Sequence, residues 1–212
     1  MFYHLLYIVY CLFLTAVFIY ITKKYLNVKI KIIEFVLLLF SLIVIHFVLF
    51  IIYRNLIYNL FVLPIIIILL LISIIDNKEF IIPDTLNLLI FIILLILSIL
   101  SINNITPKIF FNTFDIIVSI VFLLLISLII YLINKKVEVM GFGDIKLLFS
   151  IFLIGIFKLL LVIFISCFIA CIIEGLFFSL KRKIIPFGPY LSIGIIIVLV
   201  FSKIFNLIFT FF

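Results

Sequence analysis

The sequence predicts an all-α fold: a polytopic membrane helix bundle of about eight transmembrane helices. Three observations carry that expectation. First, 70% of the 212 residues are hydrophobic, only 11% are charged, and mean hydropathy is +1.75. A soluble domain of that composition would present one continuous apolar surface. Second, apolar runs approaching or exceeding the roughly 18 residues that cross a bilayer as a helix recur along the whole chain. Third, the apolar–polar alternation that a transmembrane β-barrel needs is absent.

The apolar segments follow in order. Leu5–Ile21 lacks a positive leading region and a small-residue cleavage site, so it reads as a retained span rather than a signal peptide. Ile32–Tyr53 and Leu56–Ile75 come next. Leu86–Leu100 and Ile145–Phe157 are short for a span, and read as tilted or as continuing into the flanking polar residues. Phe114–Ile133, Leu159–Leu180 and Tyr190–Phe212 complete the eight. There is no long linker, low-complexity tail or internal repeat, so the chain reads as one integral domain.

A net charge of +7 could suggest a nucleic-acid partner. The lysines instead sit at helix ends, where they set orientation and meet anionic lipid heads, so the bilayer is the expected partner and nucleic acid is not. With the N-terminus outside, the cytoplasmic connections hold eleven basic residues: Lys23, Lys24, Lys29, Lys31, Lys78, Lys135, Lys136, Lys146, Lys181, Arg182 and Lys183. The outer ones hold four, Arg54, Lys108, Lys158 and Lys203. The opposite orientation inverts that ratio. Both termini therefore read as outside, and Asp76 and Asp144 fall at the same, inner face.

Cys11, Cys167 and Cys171 lie in apolar runs and read as buried small side chains. No Cys-x-x-Cys pair exists, His4 and His46 stand alone, and His46 reads as a packing residue. No metal site and no cofactor are expected.

Eight acidic residues remain. Glu34, Glu79 and Glu138 read as solvated surface charge, and Asp115 as a helix N-terminal residue. Glu174 is embedded in ISCFIACIIEGLFF, where an acid is costly and faces the protein interior, paired across the bundle or with a role in function. Asp76 and Asp144 each adjoin unusual backbone chemistry. Of six glycines and five prolines, Gly141, Gly143, Gly188, Pro83, Pro186 and Pro189 fall in three patches: DNKEFIIPD, MGFGDIK and IIPFGPYL. Such residues break helices, and non-helical backbone at membrane depth survives where it is buried in protein or lines a watery cavity. All three patches map to the inner side, so a shared site follows. Two carboxylates held close keep one proton between them. The ionised one can take a proton from water while the other donates to a peptide carbonyl: proteolysis without metal. The glycines before Asp144 let a substrate backbone approach.

Together these three patches resemble the type IV prepilin peptidases, including the preflagellin peptidases, which are GxGD-type membrane aspartyl proteases. The likeness spans residues 56–212, the prepilin-peptidase-like core, and leaves residues 1–55, two N-terminal transmembrane helices, outside it. It implies Asp76 and Asp144 as the catalytic pair in a cell-membrane, multi-pass enzyme facing the cytoplasm. Its substrates would be prepilin-like or preflagellin-like precursors carrying short basic leaders. Large members of that family also carry paired Cys-x-x-Cys motifs in a cytoplasmic segment and methylate the new N-terminus. This chain has only the short Lys23–Lys31 connection there, so the resemblance is to peptidase-only members.

Gly141, Gly143, Pro83, Pro186, Phe187, Gly188 and Pro189 are expected to shape the site. Lys146 steers the carboxylate or substrate, or snorkels to the interface. Asp84 reads as the N-cap of the fourth span, with substrate contact as its other role. The competing function is a non-catalytic membrane subunit or transporter that uses Asp76 and Asp144 as ion or proton sites. Transporters of that kind show repeats and midplane breaks, whereas the breaks here lie near one face.

Overall fold

The protein is described by a computed structural model that defines residues 9–10, 12–13, 15–17, 20, 32–103, 105–106, 113–134, 141–175 and 185–209. Every regular element among the described residues is helical. The order is α1 (Ile32–Tyr53), α2 (Leu56–Glu79), α3 (Asp84–Ile102), α4 (Thr113–Asn134), α5 (Phe142–Ser150), a 3₁₀ turn (Phe152–Ile154), α6 (Ile156–Ile173), α7 (Gly188–Val200) and α8 (Ser202–Phe209).

Four helices among the described residues are long and apolar enough to cross a membrane: α2, α3, the Phe114–Ile133 stretch of α4, and α6. Leu38–Tyr53 of α1 and all of α7 are shorter apolar helices. The chain is thus a multi-pass membrane protein, but two of the eight expected segments are not single helices. Ile145–Phe157 is divided: α5 stops at Ser150, a 3₁₀ turn follows, and Gly155 at φ 89° restarts the helix as α6. That left-handed backbone suits glycine, which lacks a Cβ. Tyr190–Phe212 is divided at Phe201 into α7 and α8. The Leu5–Ile21 segment lies mostly outside the described residues.

Burial identifies α2 as the bundle's axis. Of its most apolar window 67% is buried, against 11% for α4. Val62–Leu69 is buried without interruption. A helix apolar on every side must be surrounded, here by protein, whereas α4 turns its apolar surface to lipid. The principal neighbour of α2 is α7, which in turn packs on α6.

Local chemistry sets the ends of α2. The Asn55 side chain accepts the Tyr58 N–H at 3.0 Å, capping the start. Phe80 closes the other end in a left-handed conformation, φ 54°, with its N–H donating to the Asp76 carbonyl at 3.0 Å. The chain then runs extended to Pro83, and α3 begins. At the opposite end of the bundle, the Tyr58 hydroxyl donates to Leu199 O at 3.1 Å, and the Tyr53 hydroxyl meets Ser202 Oγ at 2.6 Å. These bonds fasten the α7–α8 break to the α1–α2 hairpin.

Two sequence expectations change here. Cys167 and Cys171 are exposed on α6 rather than buried, because the helix turns that face outward; Cys11 lies outside the described residues. Lys158 is not in an exposed connection but fully buried in the first turn of α6.

Small residues let helices cross closely where lipid gives no hydrophobic drive for association. A Cβ on Gly194 of α7 would overlap Ser166 Oγ and lie 3.0 Å from Val162 O of α6. The Ser166 hydroxyl already donates to that same carbonyl, at 2.6 Å. Gly194→Ala is therefore expected to cost about 1–3 kcal/mol of stability by overpacking. Thermal unfolding in detergent checks this, and an unchanged midpoint would show that the two helices can separate freely there.

Candidate active site

Three chain segments meet at one end of the bundle. Asp76 sits in the last turn of α2, Asp144 in the first turn of α5, and Gly188 opens α7. Both aspartates are buried, 6% and 7% exposed, yet both line one open cleft of about 540 Å³. A buried acid that still reaches a cleft is a candidate functional group.

The end of α2 and the connection to α3 form one wall, with Phe80, Ile81, Ile82, Pro83 and Asp84; the start of α5 forms the other, with Gly141, Phe142, Gly143 and Lys146. The walls touch. A Cβ at Gly143 would lie 3.1 Å from Ile82 Cβ, so the missing side chain is what lets the extended Ile82 lie against the turn that carries Asp144. A Cβ at Gly141 would lie 3.3 Å from Asp144 Oδ2, a milder constraint.

Asp76 Oδ2 accepts the Gly188 backbone N–H at 3.0 Å. This is one of the N–H groups that a helix leaves without an internal partner in its first turn. It reaches the carboxyl only because residue 188 has no side chain: a Cβ would come within 2.7 Å of Oδ2. Gly188 is thus in contact with Asp76, while Pro186, Phe187 and Pro189 flank that contact without lining the cleft.

Asp144 lies in a nine-residue helix, too short to cross a membrane. Burial pushes its carboxyl up to about 7, the neighbouring Asp76 charge adds to the rise, and the Gly141 backbone hydrogen bond opposes it.

Lys146 Nζ lies 2.8 and 2.9 Å from the two oxygens of Asp84. This corrects the expectation that Asp84 caps its helix. Pro83 occupies the cap position with no side-chain cap bond, and Asp84, the first residue of α3, turns to Lys146 instead. Both side chains are more than half exposed, so this ion pair bridges the cleft mouth but adds little stability. Lys78, two residues beyond Asp76, pairs with Glu34 of α1 at 2.7 Å. Glu138 and the basic residues at 135–136 and 181–183 lie outside the described residues. Among the described residues no group of three or more His, Cys, Asp or Glu could hold a metal ion.

Sequence reasoning passed over Phe80, Ile81, Ile82, Thr85 and Phe142, which also line the cleft. The Pro83 break was a visible signal for the first four. Nothing marked Phe80 as left-handed, since that conformation favours Gly or Asn.

No curated protein and no solved structure matches the chain. Residues 63–176 match the type IV leader peptidase family. The match covers more than half of the 212 residues and contains both buried aspartates of the cleft. A multi-pass membrane peptidase, the chain belongs to the type IV leader peptidase family.

Proposed function

We propose that the protein is an aspartyl endopeptidase that removes short basic leaders from prepilin-like precursors at the cytoplasmic membrane face, with Asp76 and Asp144 as its catalytic pair. One observation carries this reading: two buried carboxyls from different helices line the same cleft, one held by a backbone N–H and the other raised to about 7. The pair shares one proton near neutral pH, and we assign that proton to Asp144.

A water bound between them loses a proton to Asp76 as its oxygen attacks the scissile carbonyl carbon. Asp144 gives its proton to the carbonyl oxygen. The tetrahedral gem-diol then collapses: the C–N bond breaks, Asp76 protonates the leaving amine, and a hydroxyl proton returns to Asp144. One water is consumed, and the products are a carboxylic acid and an amine. No step needs a metal or a cofactor.

The sequence's count of basic residues, eleven on the connections read as sharing a side with Asp76 and Asp144 against four on the other, one of which, Lys158, the structure buries, supports a cytoplasmic cleft. The absence of Cys-x-x-Cys in the Lys23–Lys31 connection supports a peptidase without methyltransferase activity. Pro83, Asp84, Gly141, Gly143 and Lys146 shape the cleft or meet the substrate, while the Pro186–Pro189 stretch acts through the Gly188 contact with Asp76.

The test is leader removal from prepilin-like precursors by the chain in lipid vesicles, read on gels. Cleavage, lost in Asp76→Asn and Asp144→Asn, is expected. No cleavage across a panel of pilus, competence, secretion and archaellum precursors would favour the competing view of an ion- or proton-handling subunit.

The acid also sets a pH dependence. With its pKa raised to about 7, Asp144 holds its proton below that pH and loses it above. Cleavage should therefore fall as pH rises through about 7, and kcat/KM from about pH 5 to about pH 9 measures it. A flat profile on the alkaline side would remove the proton from Asp144.

A further inference from the structure

We infer that Glu174 and Tyr190 are a positioning pair that holds the first turn of α7, and with it the Gly188 N–H, against Asp76. This rests on the proposed two-aspartate site and adds a part to it.

Glu174 follows the last residue of α6, where the backbone widens into a π-helical turn with Gly175. It is 3% exposed, and an acid so placed is expensive unless partnered. Its Oε1 accepts the Tyr190 hydroxyl at 2.6 Å, a short bond for two oxygens. Its Oε2 is buried and makes no hydrogen bond among the described residues. For packing alone, an apolar side chain of similar size would cost less than a carboxyl with one oxygen unsatisfied. What the carboxyl does supply is a directed bond to one point on α7.

That point matters because of its distance along the chain from Gly188. Tyr190 lies two residues further on, in the same first turn, and its ring packs against Phe187 at 6.4 Å between centroids. Pro189 between them has no N–H. The turn is therefore tied in two directions: Gly188 to α2 through Asp76, and Tyr190 to α6 through Glu174. Release of the second tie lets the turn slide or rotate about the first. The Gly188–Asp76 approach is already at contact, so a shift of a fraction of an ångström lengthens or misdirects the bond that orients Asp76.

The test compares Tyr190→Phe, Glu174→Leu, their double variant and Glu174→Gln, all as full chains in lipid vesicles. Steady-state cleavage of a prepilin-like precursor and the thermal unfolding midpoint are read for each. Tyr190→Phe keeps the ring and loses only the hydroxyl. It is expected to lower kcat about tenfold with KM nearly unchanged, since sub-ångström misplacement acts on the chemical step. Glu174→Leu should match it, and the double variant should be no worse than either single, the mark of one shared interaction. Glu174→Gln keeps an acceptor and should stay close to wild type.

Unchanged kcat in Tyr190→Phe overturns the inference. So do multiplicative losses in the double variant, a change in KM alone, or losses that vanish once activity is scaled to folded protein. If Glu174→Leu does not accumulate, Tyr190→Phe with Glu174→Gln decides the matter. Asp76→Asn and Asp144→Asn are run alongside. If both are inactive while Tyr190→Phe cuts normally, the positioning role fails alone. If both cut like wild type, the two-aspartate reading fails.

Discussion

Vesicles carrying Asp144→Asn are expected to leave a prepilin-like precursor uncut, and Asp76→Asn the same. Asparagine keeps the shape of each side chain but can neither take the water's proton nor give one up. Loss of a general acid or base typically costs about 10²–10⁴-fold in rate. The two residues act on one water, so the double variant should be no slower than the slower single. Initial rates at matched protein levels check this. The substitutions should be tolerated structurally, since asparagine matches each carboxyl in size and its amide oxygen can still accept the Gly188 N–H at position 76. If either single variant retained a rate near wild type, its aspartate would have no part in the chemistry, and Glu174 and Asp84 would be the next acids to replace.

Gly188→Ala carries the second largest expected effect. A single methyl group would lie 2.7 Å from Asp76 Oδ2, 2.9 Å from its Cγ and 3.1 Å from its Cβ. No rotation about the Asp76 side chain clears three of its own atoms at once, so either the carboxyl or the first turn of α7 must move. Displacement of about 1 Å at a reacting group costs about 10²-fold. The rest of α7 is held by its buried contacts with α2 and α6, so the protein should still accumulate. Gly175→Ala is the control, because nothing lies within 4 Å of a Cβ there. Cleavage rate for the two variants, scaled to folded protein, decides the point. Equal rates would mean that the Asp76–Gly188 contact is not needed for cleavage.

The sequence exposed the architecture through bulk properties that a membrane imposes on every residue. Apolar runs gave the helices, and basic residues gave a common end for Asp76 and Asp144. Helix breakers at Pro83, Gly141 and Gly188 lie where the structure has its three meeting segments. What stayed hidden depended on partners distant in the chain. Ile145–Phe157 read as one run because its residues are uniformly apolar, and only the backbone at Gly155 shows the division. Asp84 has the composition of a cap, yet Lys146, 62 residues away, claims it. Glu174 looked anomalous, but its partner Tyr190 could not be named, since no local pattern predicts a bond across a helix connection.

The bond between Asp76 and Gly188 joins residues 112 positions apart. A polypeptide enters the membrane from its N-terminus, so α2 is in place long before α7 is made. During that interval the Gly188 N–H that Asp76 accepts in the finished protein does not yet exist. On the two-aspartate reading, a chain that has not yet reached Gly188 lacks the donor that orients Asp76 and should not cleave. On that reading, the order of synthesis itself would act as a safety catch.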